Sequence, residues 1–292
     1  MSEIAVVGSG SVGTFFAAHL AAIDRAVVAC VRRPFETYVV ESETAPVSVP
    51  AAVLTDPSQV AEPSKWVLVG VKAHQTAGAA GWLDALCDAS TKVVAMQNGV
   101  EAVERLTPFV NGAEVIPSVV YCGAELLEPG HIRHSSNGFL IVAESASAHA
   151  LRELFAGSVA EIRVSTDFVT DEWRKLGINT VANGITALTS RRMEVLGAPG
   201  IAGVAARILH ECWTVARALG ADLTQEVADE LVANLAATRA DGGTSMLWDR
   251  LAGRATEHDA LYGAVVRHGA RLGIPTPTNE TILALLAATS PT

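Results

Sequence analysis

The sequence predicts an α/β protein in which a doubly wound parallel sheet is followed by an all-helical domain. Through residue 107, short apolar runs alternate with stretches of helical period, which is typical of strands connected by helices. From about Thr166 onward, nearly every segment repeats its apolar residues with helical period. We therefore expect two domains, residues 1–165 and residues 166–292, with the boundary at this change of pattern.

The individual elements follow from the same patterns. The predicted strands of the sheet, all short and apolar, are residues 3–8, 26–31, 66–71 and 92–96. The helices between and after them are residues 12–23, 74–87 and 100–107. Two further strands, 115–123 and 131–142, are joined across Glu-Pro-Gly at 128–130 and would extend the sheet as a hairpin. A helix at 147–156 and a strand at 161–164 complete the first half. The helices of the second half are separated by breaks at 197–200, 220–224, 241–245 and 275–278.

Composition excludes several classes of protein. Half of the 292 residues are hydrophobic and 18% are charged, which is enough apolar material for a packed core and excludes a disordered chain. The net charge is −10 and no basic stripe is present, so we expect no nucleic-acid partner. No apolar run reaches the roughly 18–20 residues of a membrane span.

The expected compartment is the cytoplasm. The first predicted strand begins at Glu3, which leaves no room for a signal peptide. The four cysteines lack the spacing of a disulfide framework or a zinc site, so we expect reduced thiols and no metal; they are Cys30, Cys87, Cys122 and Cys212.

The first strand leads into a GxGxxG motif, Gly8-Ser9-Gly10-Ser11-Val12-Gly13. Because the motif follows a strand and opens a helix, it predicts a Rossmann-type turn that binds a dinucleotide. Gly8 would permit the tight turn, Gly10 the approach of backbone N–H groups to the pyrophosphate, and Gly13 the close packing of helix on strand. The helix N-terminus would add partial positive charge. The alternative is an ordinary glycine-rich turn.

The end of the second strand favours NADPH as the dinucleotide. NAD sites usually carry an acidic residue there, whereas this chain has Val31-Arg32-Arg33-Pro34. A guanidinium suits a 2′-phosphate, and Arg32 is the better candidate because it stands closer to the strand. The alternative is that one or both arginines are solvated surface charges.

Three polar residues share one face of a predicted helix in the second half. Lys175, Asn179 and Asn183 are spaced i, i+4, i+8, while apolar residues occupy the opposite face. The stripe would line a polar site, or its amides would cross-link buried helices. Ser245, in a small polar break between helices, would present its hydroxyl or its backbone N–H to a ligand. At Thr256-Glu257-His258-Asp259, helix capping by Thr256 and by acids of the first turn competes with a functional role.

Taken together, these segments resemble the ketopantoate reductase (2-dehydropantoate 2-reductase) family. The collinear matching stretches are Gly8–Gly13, Val71-Lys72-Ala73, Gln97-Asn98-Gly99, residues 129–134, residues 173–179, Thr244-Ser245-Met246 and Thr256–Asp259. The resemblance implies an N-terminal Rossmann domain and a C-terminal helical domain. It also implies NADPH-dependent reduction of the 2-oxo acid ketopantoate to pantoate, a step toward pantothenate.

The resemblance further implies residue roles. Lys175 would be the general acid that protonates the carbonyl oxygen during hydride transfer. A free lysine titrates near 10.4 and is charged at neutral pH, and Glu257 would hold it or bind the substrate hydroxyl. Asn98 would lie beside the nicotinamide and the substrate. Asn179, Asn183 and Ser245 would bind the substrate, and Lys72 would lie near the cofactor.

Some positions depart from the family pattern and leave rival functions open. Relatives often have an asparagine where this chain has Gly242, and an apolar residue where it has His258. One rival is an enzyme of this family acting on another 2-oxo acid; a second is a non-catalytic NADPH-binding regulator. An apolar helical domain is compatible with a homodimer. His131 and His134 would face opposite sides of a strand, so we interpret both as structural.

Overall fold

The chain folds into two compact units. The computed structural model describes residues 3–224, 228, 231, 234, 235 and 242–290. The first unit comprises the chain through Gln97 and Ala102–Phe168, and the second comprises Asn98–Glu101 and the chain from Val169 onward. The short segment Asn98–Glu101 thus belongs to the second unit although both of its neighbours in sequence belong to the first.

The first unit is built on a ten-stranded sheet. Its strands are β1 (Ile4–Val7), β2 (Val27–Cys30), β3 (Thr37–Glu41), β4 (Val47–Pro50), β5 (Ala52–Leu54), β6 (Trp66–Val69), β7 (Lys92–Ala95), β8 (Glu114–Glu128), β9 (His131–Ala143) and β10 (Glu161–Ser165). The order is β4-β3-β9-β8-β7-β6-β1-β2-β5, and β10 pairs with β9. Strands β5, β2, β1, β6, β7 and β8 are parallel, and β8 and β9 form the predicted antiparallel hairpin.

The central strands are continuously apolar because both of their faces are buried. On β1, Ile4 and Val6 belong to one core and Ala5 and Val7 to the other. The first-unit helices are α1 (Ser11–Ala21), α2 (Ala80–Leu86), α3 (Ala102–Leu106) and α4 (Ala146–Leu154). Helices α1 and α4 supply the core that contains Val6, whereas α2 and α3 supply the one that contains Val7. The predicted doubly wound sheet is confirmed.

Two parts of the first unit differ from the sequence prediction. Strands β3, β4 and β5 lie in a Pro- and Ala-rich stretch for which no strand was predicted; they are short, and their residues alternate between buried and exposed or are only partly buried. The helix predicted over residues 74–87 is wrong in its first half. Ala73–Gln75 and Ala77–Ala79 form 3₁₀ turns, and regular α-helix begins only at Ala80.

Each of the two histidines near the hairpin turn contacts other side chains of the first unit. His131 lies between Glu41 and Glu128, with its Nε2 3.0 Å from Glu41 Oε1 and its Nδ1 3.3 Å from Glu128 Oε1. The ring of His134 lies 4.5 Å from that of Phe15 on α1. The two imidazoles therefore contact different neighbours: that of His131 contacts carboxylates, and that of His134 contacts an aromatic ring.

Every regular element described in the second unit is helical, as predicted. Its helices are α5 (Phe168–Thr189), α6 (Ile201–Ala218), α7 (Ser245–Leu251), α8 (Ala264–Leu272) and α9 (Pro277–Thr289), with a 3₁₀ segment at Met193–Gly197 and a π-helical segment at Asp259–Gly263. Helix α5 packs closely through its glycines. A Cβ at Gly177 would lie 2.6 Å from Leu209 and Trp213 of α6, and one at Gly184 would overlap Tyr262. These contacts fix the rotation of α5 about its axis.

None of the helices in the described ranges has the length and apolarity needed to cross a membrane. Within those ranges no group of three or more His, Cys, Asp and Glu side chains is arranged to hold a metal ion. The four cysteines are free thiols, and three of them, Cys30, Cys87 and Cys212, are buried.

Candidate active site

The glycine-rich turn connects β1 to α1, and two of its glycines are required by the backbone. Gly8 has φ of +91°, and a Cβ there would lie 2.5 Å from Val71 Cγ1 and 2.8 Å from the Val71 nitrogen. A Cβ at Gly13 would overlap the Gly8 carbonyl oxygen. Glycine at both positions therefore lets the turn, helix α1 and the loop after β6 pack against one another.

The same turn leaves room for an anion above Gly10. Gly10 is the N-cap residue of α1, and a Cβ there would meet no atom of the described residues within 4 Å. The first turn of α1 carries no acidic residue, so the partial positive charge of the helix N-terminus is not offset there. The buried Ser9 Oγ has no hydrogen-bond partner among the described residues. An open glycine, N–H donors and a buried hydroxyl fit a phosphate group.

Two further basic segments adjoin this region of the first unit. Arg32 and Arg33 follow β2 and are both exposed. The half-buried Lys72 stands before the first 3₁₀ turn of the loop after β6. That loop is fastened by Gln97, whose Nε2 donates to the Val71 carbonyl at 3.0 Å and to Thr76 Oγ1 at 2.9 Å. The sequence assigned no role to Gln97, although the residue follows a predicted strand and lies in the stretch Gln97-Asn98-Gly99 that matches the family.

Three predicted site residues meet in the second unit. Asn98 Nδ2 donates to Glu257 Oε2 at 3.0 Å, and Asn179 Nδ2 donates to Asn98 Oδ1 at 3.3 Å. We call these three residues the Asn98 array. Asn179 and Glu257 are buried, with 8% and 5% of their surface exposed. A buried carboxylate is costly unless it is hydrogen-bonded, so the amide of Asn98 stabilises Glu257 in this position.

The other two residues of the predicted stripe flank the array on α5. Lys175 lies one helical turn before Asn179 and is half-buried, and Asn183 lies one turn after it and is buried. The stripe therefore occupies one helix face, as the spacing predicts. Both of its amides are buried, and Asn179 cross-links α5 to Asn98. The structural cross-link, one of the two predicted interpretations of the stripe, is thus present at Asn179. The other interpretation, a polar site, stays a prediction.

Ser245 is exposed at the first position of α7. The preceding Thr244 caps this helix, since its Oγ1 accepts from the Leu247 N–H at 3.2 Å. The Thr244 hydroxyl also lies 2.7 Å from Thr186 Oγ1 on α5, three residues beyond Asn183. The N-terminus of α7, where Ser245 lies, is therefore anchored to the same helix as the stripe.

The segment around Glu257 is organised differently from a simple helix cap. Thr256, which the sequence suggested as an N-cap, places its hydroxyl 2.8 Å from His258 Nδ1. The carboxylate of Glu257 accepts from Asn98 through Oε2. Gly99 makes this approach possible because it lies against the Ala260 carbonyl with φ of +97°, where a Cβ would be 2.5 Å from the oxygen.

Comparison with known proteins agrees with this architecture in both halves of the chain. Residues 4–147 match the family Ketopantoate reductase PanE/ApbA, and residues 167–290 match Ketopantoate reductase PanE/ApbA C terminal. The 2-dehydropantoate 2-reductase of Caulobacter vibrioides is 39% identical over 289 residues, which cover 99% of both chains. That of Mycobacterium tuberculosis is 38% identical over 288 residues, which cover 98% of this chain and 97% of the relative.

A solved structure shows the same fold. The PanE/ApbA family ketopantoate reductase from Ralstonia eutropha JMP134 has a TM-score of 0.89 and 30% sequence identity, with 98% of this chain and 97% of that chain covered. The fold and the relatives define an oxidoreductase with an N-terminal Rossmann-type sheet and a C-terminal helical unit. The chain belongs to the ketopantoate reductase family.

Proposed function

We propose that this protein reduces 2-dehydropantoate (ketopantoate) to pantoate with NADPH. The observation that carries the proposal is the likeness to 2-dehydropantoate 2-reductases over 98–99% of the chain. This likeness spans both halves, and so includes the glycine-rich turn of the first unit and the Asn98 array of the second.

The first unit offers residues that suit the dinucleotide. We assign the pyrophosphate to the turn, whose open Gly10 and buried Ser9 hydroxyl fit an anion. The residues of this turn are Gly8, Ser9, Gly10, Ser11, Val12 and Gly13. Arg32 would bind the 2′-phosphate, and Lys72 and Asn98 would contact the rest of the cofactor. When bound, the nicotinamide group supplies the hydride for the reaction.

The second unit offers residues that suit a 2-oxo acid. Reduction of the carbonyl places negative charge on its oxygen, and the Lys175 ammonium would stabilise that charge and donate the proton. Glu257 would bind the substrate hydroxyl or keep Lys175 charged. The amides of Asn98, Asn179 and Asn183 and the hydroxyl of Ser245 would bind the polar groups of the substrate.

The test is NADPH oxidation with ketopantoate beside a panel of other 2-oxo acids. We expect turnover on ketopantoate with little on the panel. Turnover only on another 2-oxo acid would keep the mechanism and make that acid the substrate. NADPH binding without turnover on any acid would favour the alternative that the protein is a non-catalytic NADPH-binding regulator.

Two matched pairs of variants test the residue roles. Lys175→Met should lower kcat by about 10²- to 10⁴-fold, the usual contribution of a general acid, with NADPH affinity unchanged. Arg174→Met is its control, since Arg174 forms a surface pair with Asp171 at 3.6 Å and should change kcat by about twofold or less. Equal effects of the two variants would contradict the acid role.

The second pair tests cofactor preference. Arg32→Ala should lower the ratio of kcat/KM for NADPH over NADH by about 10- to 100-fold, because a charge-assisted contact to the 2′-phosphate is lost. Arg33→Ala, equally exposed and adjacent, should leave the ratio near that of the wild type. The reverse result would assign the 2′-phosphate to Arg33.

A further inference from the structure

The segment Asn98–Glu101 is attached to the second unit at each of its four residues. Asn98 bonds to Glu257, and Gly99 lies against the Ala260 carbonyl. Val100 packs against the apolar core of the second unit. The Glu101 side chain is only 12% exposed and is paired with arginine. The position of Asn98 therefore depends on contacts along the whole segment.

One guanidinium joins this segment to the segment that carries Glu257. Arg267 on α8 donates from Nε to Glu101 Oε1 at 3.1 Å and from Nη2 to Glu101 Oε2 at 2.6 Å, a bidentate pair. Its Nη1 also donates to Asp259 Oδ1 at 2.7 Å, and Nη2 to the Asp259 carbonyl at 3.1 Å. Glu101 is three residues after Asn98, and Asp259 is two residues after Glu257.

The neighbouring basic groups make weaker contacts with the same carboxylate. Arg271 Nη2 lies 3.4 Å from Glu101 Oε1, and His268 Nε2 lies 3.6 Å from it. A lysine at position 267 would keep the positive charge but lose the planar fork that reaches Glu101 and Asp259 together. The geometry of Arg267, more than its charge, distinguishes it from its neighbours.

We propose that Arg267 is a positioning residue that holds Asn98 against Glu257. The proposal rests on the proposed function in one respect, because the consequence for catalysis assumes that these two side chains act on the substrate. Arg267 itself acts through Glu101 and Asp259. Its loss releases the Asn98 segment from the segment of Glu257.

The kinetic test compares Arg267→Lys with Arg271→Lys, which keeps the charge on the same helix and beside the same carboxylate. Arg267→Lys should lower kcat/KM for ketopantoate by about 10- to 100-fold, because the hydrogen bond between Asn98 and the Glu257 carboxylate is weakened. The KM for NADPH should change less than kcat/KM for ketopantoate, because the turn at Gly8–Gly13 and Arg32, to which we assign most of the cofactor contacts, do not depend on Asn98. Arg271→Lys should stay within about twofold of the wild type. Glu101→Gln, which removes the ion pair from the other side, should reproduce the effect of Arg267→Lys.

A double-mutant cycle separates positioning from a general structural effect. If Arg267 acts through Asn98, then Arg267→Lys should cost little further activity in an Asn98→Ala background. Full additivity of the two losses would overturn the proposal, and so would wild-type kcat/KM in Arg267→Lys.

A measurement without substrate tests the positioning role of Arg267 independently of the proposed reaction. Amide hydrogen exchange of a peptide spanning residues 98–101 should rise in Arg267→Lys and not in Arg271→Lys. Unchanged exchange there, or an equal rise throughout the second unit, would overturn the positioning role. Absence of wild-type turnover on ketopantoate would instead overturn the proposed function, while the exchange result would still decide whether Arg267 holds the segment.

Discussion

Replacing Gly99 by alanine should lower the stability of the fold for two reasons. Gly220 shares only one of them and therefore serves as the control. Gly99 and Gly220 both have φ of +97°, in the second unit. A Cβ at Gly99 would lie 2.5 Å from the Ala260 carbonyl oxygen, whereas one at Gly220 would meet no atom within 4 Å in the described part of the chain. The positive φ costs an L-residue about 1–2 kcal/mol at either site. Overpacking adds about 1–3 kcal/mol at Gly99 alone, so we expect losses of about 2–5 and about 1–2 kcal/mol respectively.

The functional consequence should also be confined to Gly99. The new methyl group must move the segment away from Ala260, and this movement separates Asn98 from Glu257. A hydrogen bond to a carboxylate contributes about 1.5–3 kcal/mol, which corresponds to a fall in kcat/KM of about 10- to 100-fold. Gly220→Ala should leave kcat/KM unchanged. The assay is urea unfolding of both variants together with NADPH oxidation on ketopantoate. Equal stability and equal activity of the two variants would refute the reasoning.

Two further predictions concern the first unit. Gly10→Ala should weaken NADPH binding by about tenfold or more, because the new methyl group occupies the space assigned to the pyrophosphate. The free energy of unfolding should change little, because that space is open in the fold. Gly13→Ala should instead destabilise the fold, because its methyl group meets the Gly8 carbonyl oxygen. Calorimetric titration measures NADPH binding by the two variants, and urea unfolding measures their stability. An equal loss of stability in Gly10→Ala and Gly13→Ala would contradict the assignment of the pyrophosphate to the space above Gly10. Burial, with a smaller effect of the nearby His134, lowers the pKa of His19 from 6.5 to about 4. The unfolded chain binds the extra proton between these values, so the free energy of unfolding should fall by up to about 3 kcal/mol as pH falls from 6.5 to 4. His19→Leu should reduce this acid sensitivity in urea midpoints measured at several pH values, and an unchanged pH dependence would show that His19 is not its source.

The parts of the fold that the sequence predicted are those with a strong local pattern. Strands β1, β2 and β6, and β7 after its first residue Lys92, are continuous apolar runs because they are buried on both faces. Strands β3 to β5 escaped prediction because they are short, have at most one well-buried face, and include proline at the end of β4. The helix predicted over residues 74–87 starts too early because 3₁₀ turns, with about three residues per turn, are close in period to an α-helix.

The residues of the candidate site also divide into those with a local sequence pattern and those without one. The glycine-rich turn and the Lys175, Asn179, Asn183 stripe could be predicted because each depends on spacing within a single element. The Asn98 array could not be derived from spacing, since its hydrogen bonds join residues 81 and 159 positions apart. The resemblance to a family supplied those residues without showing how they meet.

By itself, therefore, the sequence determined the doubly wound sheet, the turn at Gly8–Gly13 and the helix face that carries the polar stripe, because burial and backbone conformation leave periodic or glycine signals in neighbouring residues. Only the tertiary structure decided that Asn98–Glu101 joins the second unit. That placement depends on the fit of Gly99 against Ala260 and on the reach of Arg267 to Glu101, and contacts between residues so distant in the chain leave no periodic trace in the sequence.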